Sequence, residues 1–79
     1  MKHFTLMSTD HCHLCEQAEA MLVQLLDPTQ HSVEVADIAH DDLLLARYGV
    51  RIPVLVNEKS HAELNWPFDM PALADFLAK

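Results

Sequence analysis

Glycine and positive charge are both scarce in this chain of 79 residues. It has one glycine, and its 5 Lys plus Arg stand against 12 Asp plus Glu, for a formal net charge of -7. Proteins that bind the phosphate backbone need clustered cations, so we expect no nucleic-acid partner. The same deficit argues against docking on an anionic membrane surface.

Long hydrophobic runs are also missing. No apolar stretch approaches the roughly 20 residues of a membrane span, so we expect no membrane partner. The first seven residues lack the apolar core of a signal peptide, which makes a cytoplasmic location the default expectation. Hydrophobic residues make up 51% of the chain and charged ones 22%. This balance is typical of a single small globular domain, here residues 1–79.

The hydrophobic periodicity predicts an α/β fold of order βαβαββα. The predicted elements are strands at 2–7, 31–38, 52–56 and 61–65, and helices from near 12 to before 27, at 41–49 and after Asp69. Asp69 is the expected N-cap of the last helix. A parallel pair joined to an antiparallel hairpin gives a four-stranded mixed sheet flanked by helices.

The only two cysteines, Cys12 and Cys15, stand at the predicted start of the first helix. As a structural staple they would close a loop of about four residues, which the chain-entropy model values at only about 2 kcal/mol. A closed structural zinc site needs four ligands, and there is no second cysteine pair. A metal or iron–sulfur cluster shared between two chains is still open at this point.

A redox role explains both the spacing and the position of the pair. A cysteine in the first turn of a helix faces unsatisfied N–H groups and the positive end of the helix dipole, which favour the thiolate. Cys12 is therefore the expected nucleophile, and Cys15, about one turn deeper, the expected resolving cysteine. His11, His13 and Leu14 are candidates for tuning the pair, although each histidine could equally be an exposed bystander.

Three motifs give the chain a resemblance to the short bacterial glutaredoxin-like proteins of the thioredoxin-fold superfamily. They are a strand leading into CHLCEQAEAML, the segment RYGVRIPVLV, and WPFDMPALADFL. The resemblance covers nearly the whole chain and implies a thioredoxin-like fold, a redox-active Cys12–Cys15 disulfide and a role in cell redox homeostasis. It also implies a cis peptide bond between Ile52 and Pro53 beside the Cys12 sulfur, with the Ile52 backbone pairing with the substrate's cysteine segment.

Glutathione is the point on which the chain departs from this family. Members that use glutathione typically carry a Gly-Gly-Asp-type turn before the last helix and a lysine shortly before the active cysteine. Here Gly49 is the only glycine, and Ser8-Thr9-Asp10-His11 precedes Cys12. Asp69 could contribute to glutathione binding, or it could serve only as a helix cap. We expect no obligatory cofactor, and glutathione stays a candidate that these departures argue against.

Three other side chains are noted: one has two possible roles, and two are expected to have structural roles. Arg51 either steers an acidic substrate or is a plain surface arginine. Trp66 and Phe68 are predicted to close the core under the last helix, not to form a substrate platform.

The leading hypothesis is a monomeric dithiol–disulfide oxidoreductase or electron carrier. Its expected substrates are disulfides of proteins or of small thiols, and its expected electron donor is a reductase or glutathione. Two alternatives are kept: a metal or iron–sulfur module assembled across a dimer, and a redox-inactive interaction domain that retains the fold.

Overall fold

A four-stranded mixed sheet forms the centre of the protein. The computed structural model describes residues 1–79 and has these elements: β1 Lys2–Ser8, α1 His13–Leu25, β2 His31–Asp37, a 3₁₀ turn Ile38–His40, α2 Asp42–Tyr48, β3 Val54–Asn57, β4 Glu63–Asn65 and α3 Met70–Ala78. The strand order is β2-β1-β3-β4, with β1 and β2 parallel and the other pairs antiparallel. The predicted order βαβαββα and the mixed sheet are therefore confirmed. None of the helices combines the length and apolar character needed to cross a membrane.

Helices cover both faces of the sheet. On one face, Phe4, Leu6 and Leu55 form a core with buried side chains of α1 and α3. On the other face, the buried residues from the strands, the 3₁₀ turn and α2 are Met7, Val54, Val56, Ile38 and Tyr48. Successive side chains of a strand point to opposite faces, so a strand covered on both sides is apolar throughout. This explains the apolar run at the start of β3.

Side-chain caps define where the helices begin. Cys12 is the N-cap of α1. The Asp41 carboxylate accepts two N–H groups in the first turn of α2, and Asp69 accepts the Ala72 N–H at 2.8 Å at the start of α3. Such a cap satisfies backbone donors that have no partner within the helix. The predicted helix start near Cys12 and the predicted cap at Asp69 are both confirmed.

Two strand boundaries differ from the prediction around the central hairpin. β3 begins at 54 and not at 52, because the Ile52 N–H donates to the Tyr48 carbonyl at 3.2 Å at the end of α2. β4 begins at 63 and not at 61, because His61 belongs to the turn: its N–H donates to the Asn57 carbonyl at 2.8 Å and its φ is 63°.

The second strand also ends one residue earlier than predicted. Ile38 leaves β2 for the 3₁₀ turn, and the Asp37 carboxylate caps that turn by accepting the Ala39 N–H at 2.9 Å. The side chain of Ile38 still reaches the core, where it is 1% exposed. An alternating sequence pattern does not distinguish a last strand residue from a buried turn residue.

Candidate active site

The cysteine pair is closed and asymmetric. Cys12 and Cys15 form a disulfide with their Cα atoms 5.2 Å apart. Cys15 is 1% exposed, whereas Cys12 is half-buried at the N-cap of α1. The Cys15 N–H donates to Cys12 Sγ at 3.2 Å. A donor aimed at this sulfur stabilises negative charge on it once the disulfide is reduced.

The two histidines beside the pair are exposed and make no hydrogen bond to Cys12. His11 has a φ of 58°, in the left-handed region, and turns the chain into the helix. His13 Nδ1 lies 4.0 Å from Glu16 Oε2, and both side chains are largely in solvent. Their role in tuning the cysteines stays a prediction.

A groove begins next to the cysteine turn. It is lined by Leu14, Val50, Arg51, Ile52, Asn65 and Trp66, and we call these six residues the groove. Leu14 is 43% exposed and Val50 is fully exposed. The structure thus brings Leu14 together with Ile52, two residues that sequence reasoning named separately. Pro53 is buried behind the groove, and the Ile52–Pro53 bond is cis, the isomer that the resemblance implies.

Half of the groove was missed by sequence reasoning. Val50, Asn65 and Trp66 had no assigned role in a site, and Trp66 was assigned to the core. Phe68 is indeed 8% exposed in the core cluster, and the Trp66 ring packs edge-on against it with centroids 5.0 Å apart. Trp66 thus packs against the core as predicted, and it also lines the groove. The available signal was an apolar Val50 two residues from Ile52 on a turn.

The Arg51 guanidinium is tied to neighbouring residues, so Arg51 is not an unpaired surface arginine, and the steering of an acidic substrate stays a prediction. Arg51 Nη2 donates to Glu63 Oε1 at 2.5 Å and to Asn65 Oδ1 at 3.0 Å, and Nη1 donates to the Arg47 carbonyl at 3.3 Å. The Tyr48 hydroxyl donates to Glu63 Oε2 at 2.9 Å. We call Arg47, Tyr48, Arg51, Glu63 and Asn65 the Glu63 cluster.

The electrostatics of the Glu63 cluster favour an ionised glutamate and a neutral tyrosine. The hydrogen bond from Arg51, followed by the one from Tyr48, lowers the pKa of Glu63 below its ordinary value. Burial, followed by the hydrogen bond to Glu63, raises the pKa of Tyr48. Both arginine side chains lie over the Tyr48 ring, with Cζ 5.5 Å and 5.2 Å from its centroid. Charge-assisted hydrogen bonds of this kind hold a site in one geometry.

On the other side of the cysteine turn lies a polar hollow. Its lining residues are Ser8, Thr9, Asp10, His11, Glu16, Glu19, Val35 and Asp37, and we call it the acidic hollow. Four of these eight side chains are carboxylates. Asp69 lines neither this hollow nor the groove. Nowhere do three or more His, Cys, Asp or Glu side chains converge as a metal site would require.

Residues 3–78 match the model of one protein family, the glutaredoxin-like domain (DUF836). The chain belongs to this family. Among curated proteins none matches the chain. A glutaredoxin-like domain with a cysteine pair at disulfide distance supports a role of the redox type.

Two solved structures resemble this glutaredoxin-like domain closely. The X-ray structure of Northeast Structural Genomics target protein XcR50 from X. campestris is 39% identical and has a TM-score of 0.82, over 95% of each chain. The solution structure of XcR50 is 38% identical and has a TM-score of 0.80, over 99% of this chain and 94% of that one. The fold is therefore thioredoxin-like, as the resemblance implied.

Proposed function

We propose that this glutaredoxin-like domain is a dithiol–disulfide oxidoreductase or electron carrier, in which Cys12 attacks and Cys15 resolves. The asymmetry of the pair carries the proposal. Cys12 is the more accessible sulfur and receives the Cys15 N–H at 3.2 Å, whereas Cys15 is 1% exposed. An accessible, stabilised thiolate beside a sheltered second thiol is what sequential thiol–disulfide exchange requires.

The reaction moves two electrons from the dithiol to the substrate. The Cys12 thiolate bonds to one substrate sulfur, the substrate S–S bond breaks, and the first substrate thiolate leaves and takes a proton from solvent. The Cys15 thiol then loses its proton, and its thiolate attacks Cys12 Sγ in the mixed disulfide. This step expels the second substrate thiolate, which is also protonated, and leaves the Cys12–Cys15 disulfide. An external thiol or dithiol must then reduce that disulfide.

The groove favours a peptide segment with an apolar residue next to its cysteine. Four of its six lining residues are apolar, namely Leu14, Val50, Ile52 and Trp66. The Ile52 N–H is already used by the Tyr48 carbonyl at 3.2 Å, so Ile52 would offer a substrate its carbonyl oxygen. A peptide N–H is the matching donor. We therefore propose protein disulfides as the main substrates, with small disulfides as simpler probes.

The electron donor we propose is a reductase or a dithiol protein, with glutathione as the weaker candidate. Asp69, the candidate for a contribution to glutathione binding, accepts the Ala72 N–H as a helix cap. A thiol–disulfide oxidoreductase that is recycled in this way belongs in a reducing compartment such as the cytoplasm, where it would contribute to cell redox homeostasis. Recycling by purified glutathione and by a thioredoxin-type reductase should be compared, and we expect faster recycling with the reductase.

The test separates the two sulfurs, because the chain has only 2 cysteines. Cys15→Ser leaves Cys12 as the only thiol, and Cys12→Ser leaves Cys15. Near neutral pH we expect Cys12 to be alkylated by iodoacetamide at least about tenfold faster than Cys15. We also expect Cys15→Ser to accumulate a mixed disulfide with the substrate, visible by mass spectrometry, because nothing resolves it.

The same two variants can also contradict the proposal. If both single thiols react at equal rates and neither variant traps a mixed disulfide, the proposed order of attack and resolution is wrong. A wild-type protein that fails to reduce any disulfide would instead favour the redox-inactive alternative.

A further inference from the structure

We propose that Glu63 determines the charge preference of the groove: by occupying Arg51 it makes the groove select neutral disulfide substrates over carboxylate-bearing ones. The inference rests on the proposed function, since it concerns the substrates of the same cysteine pair. It makes Glu63 a specificity-determining residue that does not itself line the groove.

The Arg51 guanidinium already makes three hydrogen bonds. A guanidinium has five N–H donors and binds a carboxylate best through two of them in parallel. Nη2 already donates to Glu63 and Asn65, and Nη1 donates to the Arg47 carbonyl. The Nη2 face, which an incoming carboxylate would need, is therefore taken by acceptors from β4.

The groove contains no unpaired cation. Arg51 is the one cation that lines it, and its partner Glu63 is the less exposed of the two, with 18% of its side chain in solvent against 38% for Arg51. Arg47 Nη2 lies 3.6 Å from Glu63 Oε2, so the neighbouring cation also faces this carboxylate. A ligand carboxylate would have to compete with an ion pair that is already formed and partly shielded from water.

The electrostatic field of the rest of the chain is negative. The net charge is -7, and the acidic hollow places four carboxylates on the other side of the cysteine turn. Arg51, the one cation that lines the groove, is paired with Glu63, so it offsets little of this repulsion of an anionic substrate. Replacing Glu63 with glutamine would remove the carboxylate that pairs with Arg51 and leave the positive charge of the arginine unbalanced in the groove.

The experiment compares two small disulfides of similar size, one neutral and one with two negative charges. The neutral probe is bis(2-hydroxyethyl) disulfide, and the dianionic probe is 3,3′-dithiodipropionate. The readout is the ratio of kcat/KM for the dianionic probe to that for the neutral one. For Glu63→Gln we expect this ratio to rise about tenfold, because a freed arginine gains charge-assisted hydrogen bonds to the carboxylate.

Two further variants serve as controls. Glu34→Gln changes the net charge by the same amount, but Glu34 is exposed on β2, at the opposite edge of the sheet from β4. It should leave the ratio within about twofold of wild type, because an exposed and distant charge is screened. In the double variant Glu63→Gln/Arg51→Gln the ratio should return to about the wild-type value, since the freed cation is gone.

A third measurement uses the wild-type protein alone. Raising the ionic strength from about 0.01 M to about 1 M should lower KM for the dianionic probe, because salt screens a net repulsion. A rise in KM would mean that Arg51 already attracts the carboxylate, and it would overturn the inference.

Other results with these variants would contradict the inference. Equal changes for both probes in Glu63→Gln would assign Glu63 a purely structural role. A raised ratio that persists in the double variant would exclude Arg51 as its cause. A wild type that reduces neither probe would overturn the proposed function and this inference with it, whereas an active wild type with an unchanged ratio in Glu63→Gln overturns the charge preference alone.

Discussion

The two sides of the cysteine turn differ in their chemistry. On one side, the groove presents apolar side chains, and its single cation, Arg51, is paired with Glu63. On the other side, the acidic hollow presents four carboxylates that have no arginine or lysine among their neighbours in the lining. Under the proposed function, a substrate would contact the groove, whereas the hollow would act on it at a distance through its charge.

The largest effect on activity should come from placing a charge in the groove. The substrate for this test is the disulfide-linked dimer of a short Leu-Cys peptide. For Leu14→Glu we expect kcat/KM toward this substrate to fall about tenfold or more, because burying an unpaired carboxylate against apolar groups costs free energy. The variant should fold, because an acidic residue in the first turn of α1 is favourable to the helix dipole. The measurement is the steady-state rate of peptide disulfide reduction.

Gln24→Glu is the matched control for this prediction. Gln24 is exposed near the end of the same helix, and the substitution adds the same charge. We expect it to change kcat/KM by less than about twofold, because surface charges far from the site are screened. An equal loss in both variants would mean that total charge, and not the groove, controls the rate.

The second prediction concerns the Glu63 cluster that holds one wall of the groove. Glu63→Gln should lower the free energy of unfolding by about 2 kcal/mol near neutral pH, because partly buried charge-assisted hydrogen bonds are weakened. Urea unfolding followed by the fluorescence of Trp66, the only tryptophan, gives the measurement.

The pH dependence of this difference has a definite sign. The pKa of Glu63 in the folded protein is lowered from 4.5, chiefly by the hydrogen bond from Arg51. Its contribution to stability is therefore fully present above 4.5 and is lost as the pH falls through the lowered folded value. Wild type and Glu63→Gln should converge in acid. A constant difference down to about pH 2 would show that ionisation of Glu63 is not the cause.

A third prediction asks whether the groove side of the site extends to Asp69. Asp69→Ala should cost about 1 kcal/mol of stability through loss of the cap, and Asp69→Asn less, since asparagine also caps helices. Neither should change kcat/KM. A lower kcat/KM in Asp69→Asn at unchanged stability would instead indicate a contact with substrate.

The smallest effect should come from the acidic hollow. The double variant Asp10→Asn/Glu16→Gln should raise kcat/KM for a dianionic disulfide about threefold at about 0.01 M ionic strength, and the gain should vanish at about 1 M. Stopped-flow rates at the two salt concentrations test this. A gain that survives high salt would point to direct contact of the substrate with the hollow.

Much of the fold could be predicted because its signals are local. The apolar spacing of α1, the alternation of β1 and the cap at Asp69 each follow from neighbours within one or two turns of chain. The errors lie at strand ends. Ile52 and His61 were predicted as strand residues, but their N–H groups bond to the carbonyls of Tyr48 and Asn57, and no periodicity reveals such turns.

The site was predicted only in part for a related reason. Cys12 and Leu14 share a helical turn, so local spacing predicts both. Ile52 was predicted as a site residue only from the resemblance to a family. The positions of Trp66 and Arg51 depend on partners at least ten residues away, because Arg51 donates to Glu63 and the Trp66 N–H donates to the Pro53 carbonyl at 3.3 Å. Composition offers no sign of either contact.

The sequence by itself determined that a helix starts at Cys12 with Cys15 behind it, because capping, helix dipole and apolar periodicity are properties of adjacent residues. Only the tertiary structure decided which side of that pair is open to an apolar segment and whether Arg51 is free. Those properties depend on the β3–β4 pairing, which places Glu63 opposite Val56 and Asn65 opposite Val54, and so brings the two walls of the groove together. A pairing between distant segments is chosen by the whole core, not by either segment alone.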